Sequence, residues 1–150
     1  MINDGIIHAE LSRLLASLRH TDSLVISDSG LPVGPGVAVV DLAVVYGLPA
    51  FLDVLDPILA EITVEASCAS TEVVAANPDI YTRLSSLPAL ELLPHEQFKE
   101  KVAGARFVVR TGEASPYANV LLTAGVPWLR ERPTRPAPAS RDTYDRRSRG

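Results

Sequence analysis

Short apolar runs rich in β-branched residues alternate along this chain with segments whose apolar residues recur every three or four positions, and few folds accommodate that order. Residues 23–28 (SLVISD) are too few for a stable helix and end at a polar group, as a buried strand does. Just before them, Leu11, Leu14, Leu15 and Leu18 fall on one face of a helix expected over 8–19. The pattern then repeats. Residues 29–36 form a loop broken by two prolines and three glycines, 37–45 read as a strand, and 51–61 as a helix presenting Leu52, Leu55, Ile58 and Leu59. Further strands are expected at 62–69, 90–93, 106–110 and 120–124. Helices are expected at 71–76, restarting after Pro78 toward 87, and at 95–103. Parallel neighbours need crossover connections, which helices supply. The expected fold is therefore α/β, a three-layer sandwich with a largely parallel sheet flanked by helices.

A chain of 150 residues suits one domain with one core. Aromatic residues are only 5% of the total, so that core must be built mainly from Val, Leu, Ala and Ile. From Arg130 onward Arg, Pro, Ser and Asp replace buriable residues. The expected organisation is a domain over 1–130 and a disordered tail over 131–150. The tail sets six arginines against three carboxylates, a net +3, which leaves −7 of the total −4 on residues 1–130. An acidic body argues against nucleic acid as a partner, because phosphate contacts require clustered positive charge. No apolar stretch is long enough to span a membrane, and no basic, apolar leader opens the chain, so a cytoplasmic location is expected. Cys68 is the only cysteine and reads as a small buried apolar residue, and no metal knuckle is suggested.

In open α/β sheets, ligands bind beyond the carboxyl ends of the strands, so polar residues just past those ends are the first candidates. Asp28 occupies such a position. His20 precedes the same strand, which puts it near the opposite sheet edge unless another subunit or a loop brings it close. Each of these residues also has a plain reading. His20-Thr21-Asp22 can be a helix stop and turn, His95 an exposed first-turn residue, and residues 111–119 a polar connection. Gly30, Gly34 and Gly36 match neither the dinucleotide fingerprint nor a phosphate loop. Asp53 and Asp56 read as a solvated helix face, Trp128 as packing, and no Gly-x-Ser-x-Gly elbow is present.

Four blocks considered together are more specific. They are His20-Thr21-Asp22-Ser23-Leu24-Val25, Ser27-Asp28-Ser29-Gly30-Leu31-Pro32, His95-Glu96-Gln97-Phe98-Lys99 and the run from Thr111 to Asn119 (TGEASPYAN). In order and spacing they resemble the D-ribose pyranase family, and the resemblance runs from about the N-terminus to Val126. It implies interconversion of the pyranose and furanose forms of D-ribose, supplying furanose to ribokinase, without an organic cofactor. It also implies a cytoplasmic, ring-based homo-oligomer, usually a decamer. By the same resemblance His20 is the catalytic histidine, while Asp28, His95, Tyr117, Ala118 and Asn119 contact the sugar. The related fucose mutarotase branch carries Gly-Asp after the first histidine and Tyr-Gly-Asn near the end. Thr21-Asp22 and Tyr117-Ala118-Asn119 therefore favour ribose. Arg19 departs from the glycine usual in the family and is expected either to crowd the site or to depress the basicity of the imidazole, affecting rate rather than identity.

The chemistry suits an imidazole. Opening a hemiacetal and closing it through a different hydroxyl moves protons between oxygens near neutral pH, which histidine does well. Asp28 is expected either to hold a sugar hydroxyl or to orient the imidazole, and an obligate oligomer is expected if the site needs two subunits. A mutarotase for another aldose and a non-catalytic sugar-binding module are the competing readings.

Overall fold

The computed structural model describes residues 1–129, so the expected tail over 131–150 lies outside the described residues. In chain order the elements are α1 (Ala9–Ser17), β1 (Ser23–Ser27), β2 (Ala38–Asp41), α2 (Phe51–Glu61), β3 (Val64–Ser70), α3 (Val73–Ala76), α4 (Pro78–Leu84), β4 (Leu90–Leu93), α5 (His95–Val102), β5 (Phe107–Arg110) and β6 (Val120–Ala124). A 3-10 turn, Pro127–Leu129, follows β6.

The strands form one sheet in the order β2-β5-β1-β6-β3-β4. Pairings β2·β5, β5·β1 and β3·β4 are parallel, whereas β6 runs antiparallel to both β1 and β3. Five strands thus point one way and β6 the other. The connection from β5 to β6 is nine residues without a helix, too short for a crossover, so the chain re-enters the sheet from the edge at which it left.

Alternation along the strands divides the core between two faces. Leu24, Ile26, Phe107, Val109, Val120 and Leu122 pack against α1, α2 and α4. On the other face, Val25, Val108, Leu121 and Cys68 pack against Phe98 and Val102 of α5. Helices therefore cover both faces, giving the expected three layers. The three phenylalanines, Phe51, Phe98 and Phe107, are all fully buried. Truncating any one of them to alanine is expected to cost about 3–5 kcal/mol. Cys68 is buried as expected, and burial pushes its thiol pKa upward. Among the described residues, no helix is long and apolar enough to cross a membrane.

Two expectations need correction. Trp128 is 68% exposed rather than packed. The strand expected over 37–45 stops at Asp41, whose carboxylate accepts the Ala43 N–H at 3.0 Å and turns the chain. Val44 and Val45 instead enter a tight turn in which the Val44 N–H bonds the Leu48 carbonyl and the Leu48 N–H bonds the Val45 carbonyl, each at 3.0 Å. This turn lies on Gly112. A Cβ there would collide with the carbonyl oxygens of Val45, at 2.6 Å, and Leu48, so only glycine allows the two backbones to approach this closely.

Candidate functional site

The loops that leave β1 and β5 and the segment that enters β6 meet at the carboxyl edge of the parallel strands. There they enclose an open cleft of about 340 Å³ lined by Asp28, Ser29, His95, Glu113, Tyr117 and Asn119, among others. This volume lies at the small end of the usual range for small-molecule sites. Four of the six residues singled out from sequence converge here, although they come from three distant parts of the chain.

Each is held by a specific partner. Asn119 is 1% exposed; its Oδ1 accepts the Asp28 N–H at 2.9 Å and its Nδ2 donates to the Asp28 carboxylate at 3.2 Å. The other Asp28 oxygen accepts the Gly30 N–H at 3.0 Å, which shapes the turn after β1. His95 opens α5. Its N–H donates to the Glu72 carboxylate at 2.8 Å, and its Nδ1 is hydrogen-bonded to the buried Ser70 hydroxyl at 2.7 Å. The imidazole therefore offers Nε2 to the cleft. The Tyr117 ring meets it edge-on, with centroids 5.1 Å apart. Tyr117 has φ = 57°, a left-handed conformation that costs a non-glycine residue energy and is concentrated at functional sites. Asn77 braces the same segment by donating to Ser115 Oγ at 2.8 Å and the Pro116 carbonyl at 2.9 Å.

Glu113 ties the cleft to α2. Its carboxylate accepts the Phe51 N–H at 3.0 Å, in the first turn of that helix, and the Ser115 N–H and hydroxyl at 3.3 and 3.1 Å. Burial pushes its pKa up, but the donated N–H and O–H bonds outweigh this and hold the group below the ordinary value of 4.5. It is an ionised brace. Ala118, by contrast, is fully buried and absent from the cleft lining, so its side chain offers a sugar nothing.

His20 is elsewhere. It lies at the amino edge of the parallel strands, where the neighbouring Thr21 N–H bonds the carbonyl of Ala124, the last residue of β6. Asn119 adjoins the first residue of that strand, so about 17 Å of strand separates the two positions. The imidazole side chain is 52% exposed, and its Nε2 stands 2.8 Å from the Glu65 carboxylate. Within one protomer, Glu65 and not Asp28 meets this ring. The guanidinium of Arg19 folds back on the carbonyls of Ala16 and Leu18, at 3.2 and 3.0 Å, near the end of α1. It does not crowd the imidazole.

The sequence reading missed Ser70, Glu72, Glu113 and Glu65. Ser70 ends β3 and Glu72 follows closely, so the search for polar groups past strand ends would have found them. Glu65 sits at the other edge, where no such rule directs attention.

Comparison with known proteins gives a consistent pattern. The family model described as the RbsD / FucU transport protein family matches residues 1–127. D-ribose pyranase 1 of Rubrobacter xylanophilus is 52% identical over 129 residues, covering 85% of this chain and 100% of that protein. The solved structure of Bacillus subtilis RbsD complexed with D-ribose is similar with a TM-score of 0.81 at 43% identity, covering 85% of this chain and 99% of the other. The fucose mutarotase of Streptococcus pneumoniae, solved in complex with L-fucose, gives a TM-score of 0.66 at 24% identity over 81% of this chain and 94% of its own. That last likeness bears on the fold alone.

Proposed function

Because the chain belongs to the RbsD / FucU family, we propose that it works as a D-ribose pyranase, interconverting the pyranose and furanose forms of D-ribose. The observation that carries this reading is the convergence of Asp28, His95, Tyr117 and Asn119, from separated parts of the sequence, on one polar cleft. A pentose presents hydroxyls around a partly apolar ring. The cleft offers it a carboxylate, an amide, an imidazole nitrogen and an aromatic face.

His20 carries the proton. As the bond from C1 to the ring oxygen O5 breaks, the imidazolium gives its proton to O5, and the anomeric hydroxyl, losing its proton to water, becomes the carbonyl. On closure the O4 hydroxyl attacks C1 and returns a proton to the imidazole, while the carbonyl oxygen takes one from water. Protons are conserved and no electrons change hands, so a positioned acid/base worth about 10²–10⁴-fold is sufficient.

One copy holds the cleft and another supplies His20, since the two stand at opposite edges of one sheet. Such a contact joins unlike surfaces and closes only as a ring, in keeping with the expected homo-oligomer, a decamer. Val44 (73% exposed), Val45 (61%) and Tyr46 (85%) provide an apolar surface for contact between copies. The enzyme acts in the cytoplasm, where ribose is converted after uptake.

Saturation-transfer NMR on ribose tests the activity directly. Accelerated exchange between ring forms, faster for D-ribose than for L-fucose, is expected. Ribose binding without any acceleration would reject catalysis. Sedimentation tests the assembly, and a fully active monomer would reject the shared site.

A further inference from the structure

The backbone around His20 is irregular at several points, and all of them bear on one side chain. Between β3 and β6 the register slips, with Val64 opposite Ala124 and Ala66 opposite Thr123. Glu65 is thus the extra residue of a β-bulge. A bulge leaves its extra residue outside the ladder and redirects its side chain. Here the redirected carboxylate lies 2.8 Å from His20 Nε2. Gly125 lies just past the end of β6, where a Cβ would stand 3.1 Å from the Cβ of Glu65 and 3.4 Å from its nitrogen. Its lack of a side chain leaves the bulged residue room.

The histidine is fixed from its own side as well. Thr21 has φ = 71°, in the left-handed region, and its N–H is bonded to Ala124 at 2.9 Å. Asp22 accepts the Arg19 N–H at 2.8 Å and Arg106 Nη1 at 2.9 Å, closing the turn around His20. An exposed ion pair by itself contributes little to stability. A bulge, a glycine and a left-handed turn that together aim one carboxylate at one imidazole call for a functional account.

We infer that Glu65 is the positioning residue for His20, holding Nε2–H so that Nδ1 is the atom that exchanges the proton with the ribose oxygens. This rests on the reading of His20 as proton carrier. An ionised carboxylate only accepts hydrogen bonds, so the neutral ring keeps its hydrogen on Nε2 and its lone pair on Nδ1. When the ring is protonated, Nε2–H stays on Glu65 and Nδ1–H faces the substrate. The same nitrogen therefore gives the proton to O5 and receives one from the O4 hydroxyl, and the imidazole need not turn over between the two steps.

The test uses the full chain with Glu65→Ala, Glu65→Gln and His20→Ala. Saturation transfer gives kcat and KM, and ¹⁵N NMR of labelled histidine gives the tautomer. Glu65→Ala is expected to lower kcat about tenfold or more, the scale of one lost charge-assisted hydrogen bond, with KM nearly unchanged. Its His20 should become a mixture of tautomers. Glu65→Gln, almost isosteric and still able to accept from Nε2–H, should recover part of the rate. Full activity in Glu65→Ala, or a slower rate with the wild-type tautomer retained, would overturn the inference while leaving His20 as proton carrier. Full activity in His20→Ala would instead overturn the reading of His20 on which the inference rests.

Discussion

The two ends of β6 are built differently. At its start, Asn119 is buried, Asp28 and His95 are each held by two or more hydrogen bonds, and Asn77 and Glu113 brace the adjoining segment. At its finish, a half-exposed imidazole is held by one half-exposed carboxylate. The cleft is shaped in advance, which suits the sugar recognition proposed for it. The histidine stands half-exposed on an open surface and, in the proposed arrangement, becomes part of a site only when another copy covers it. The proposed recognition and proton-transfer groups thus occupy opposite edges of one sheet.

The largest effect should come from His20→Ala, which is expected to slow ring exchange about a hundredfold or more while ribose binding and melting temperature stay near wild type. Saturation transfer together with calorimetry reads both. A lost binding signal would break the division between the edges. Next, co-assembling His20→Ala with the cleft variant Asp28→Ala/His95→Ala, each nearly inactive alone, should restore activity at about a quarter of the sites, because random neighbours pair an intact cleft with an intact histidine that often. No recovery on mixing would place both halves of the site in one copy. Asn119→Ala alone should raise the ribose KM about tenfold and cost about 1–3 kcal/mol in chemical denaturation, since it leaves the Asp28 N–H without its partner. The smallest effect concerns Glu113. Its folded-state pKa is depressed below 4.5, so its stabilising contribution is complete above that value and is lost as pH falls through the lower folded-state value. Denaturation curves should therefore show wild type exceeding Glu113→Gln near neutral pH, with the gap closing on acidification.

Much of this was legible because strand and helix periodicities leave local marks. Phe51–Glu61, Leu90–Leu93 and Val120–Ala124 have the expected limits, the two strands being bounded by proline, asparagine or glycine in the sequence. The end of β2 was not legible. Val44 and Val45 continue an apolar run, and the bond that the Ala43 N–H donates to the Asp41 carboxylate ends the strand earlier. The reversed direction of β6 is also a tertiary matter, since a strand carries no sign of which way its neighbours run. Among the site residues, Asp28 could be found by its place past a strand end, whereas His95, Tyr117 and Asn119 stood out only as a set resembling a family. Glu65 escaped both routes, because a bulge depends on pairing between residues sixty positions apart.

In the proposed shared site, the length of strand between cleft and histidine also sets how damage spreads through an assembly. Because one strand joins cleft to histidine, each polypeptide would there be donor on one side and recipient on the other. A subunit lacking only its imidazole silences its neighbour's cleft but still serves as a recipient, whereas one unable to dock spoils a site on either side. In a cell expressing a sound and a faulty allele, the docking defect would remove twice as many working sites per faulty chain, a dosage asymmetry that follows from placing the two groups at opposite ends of a strand.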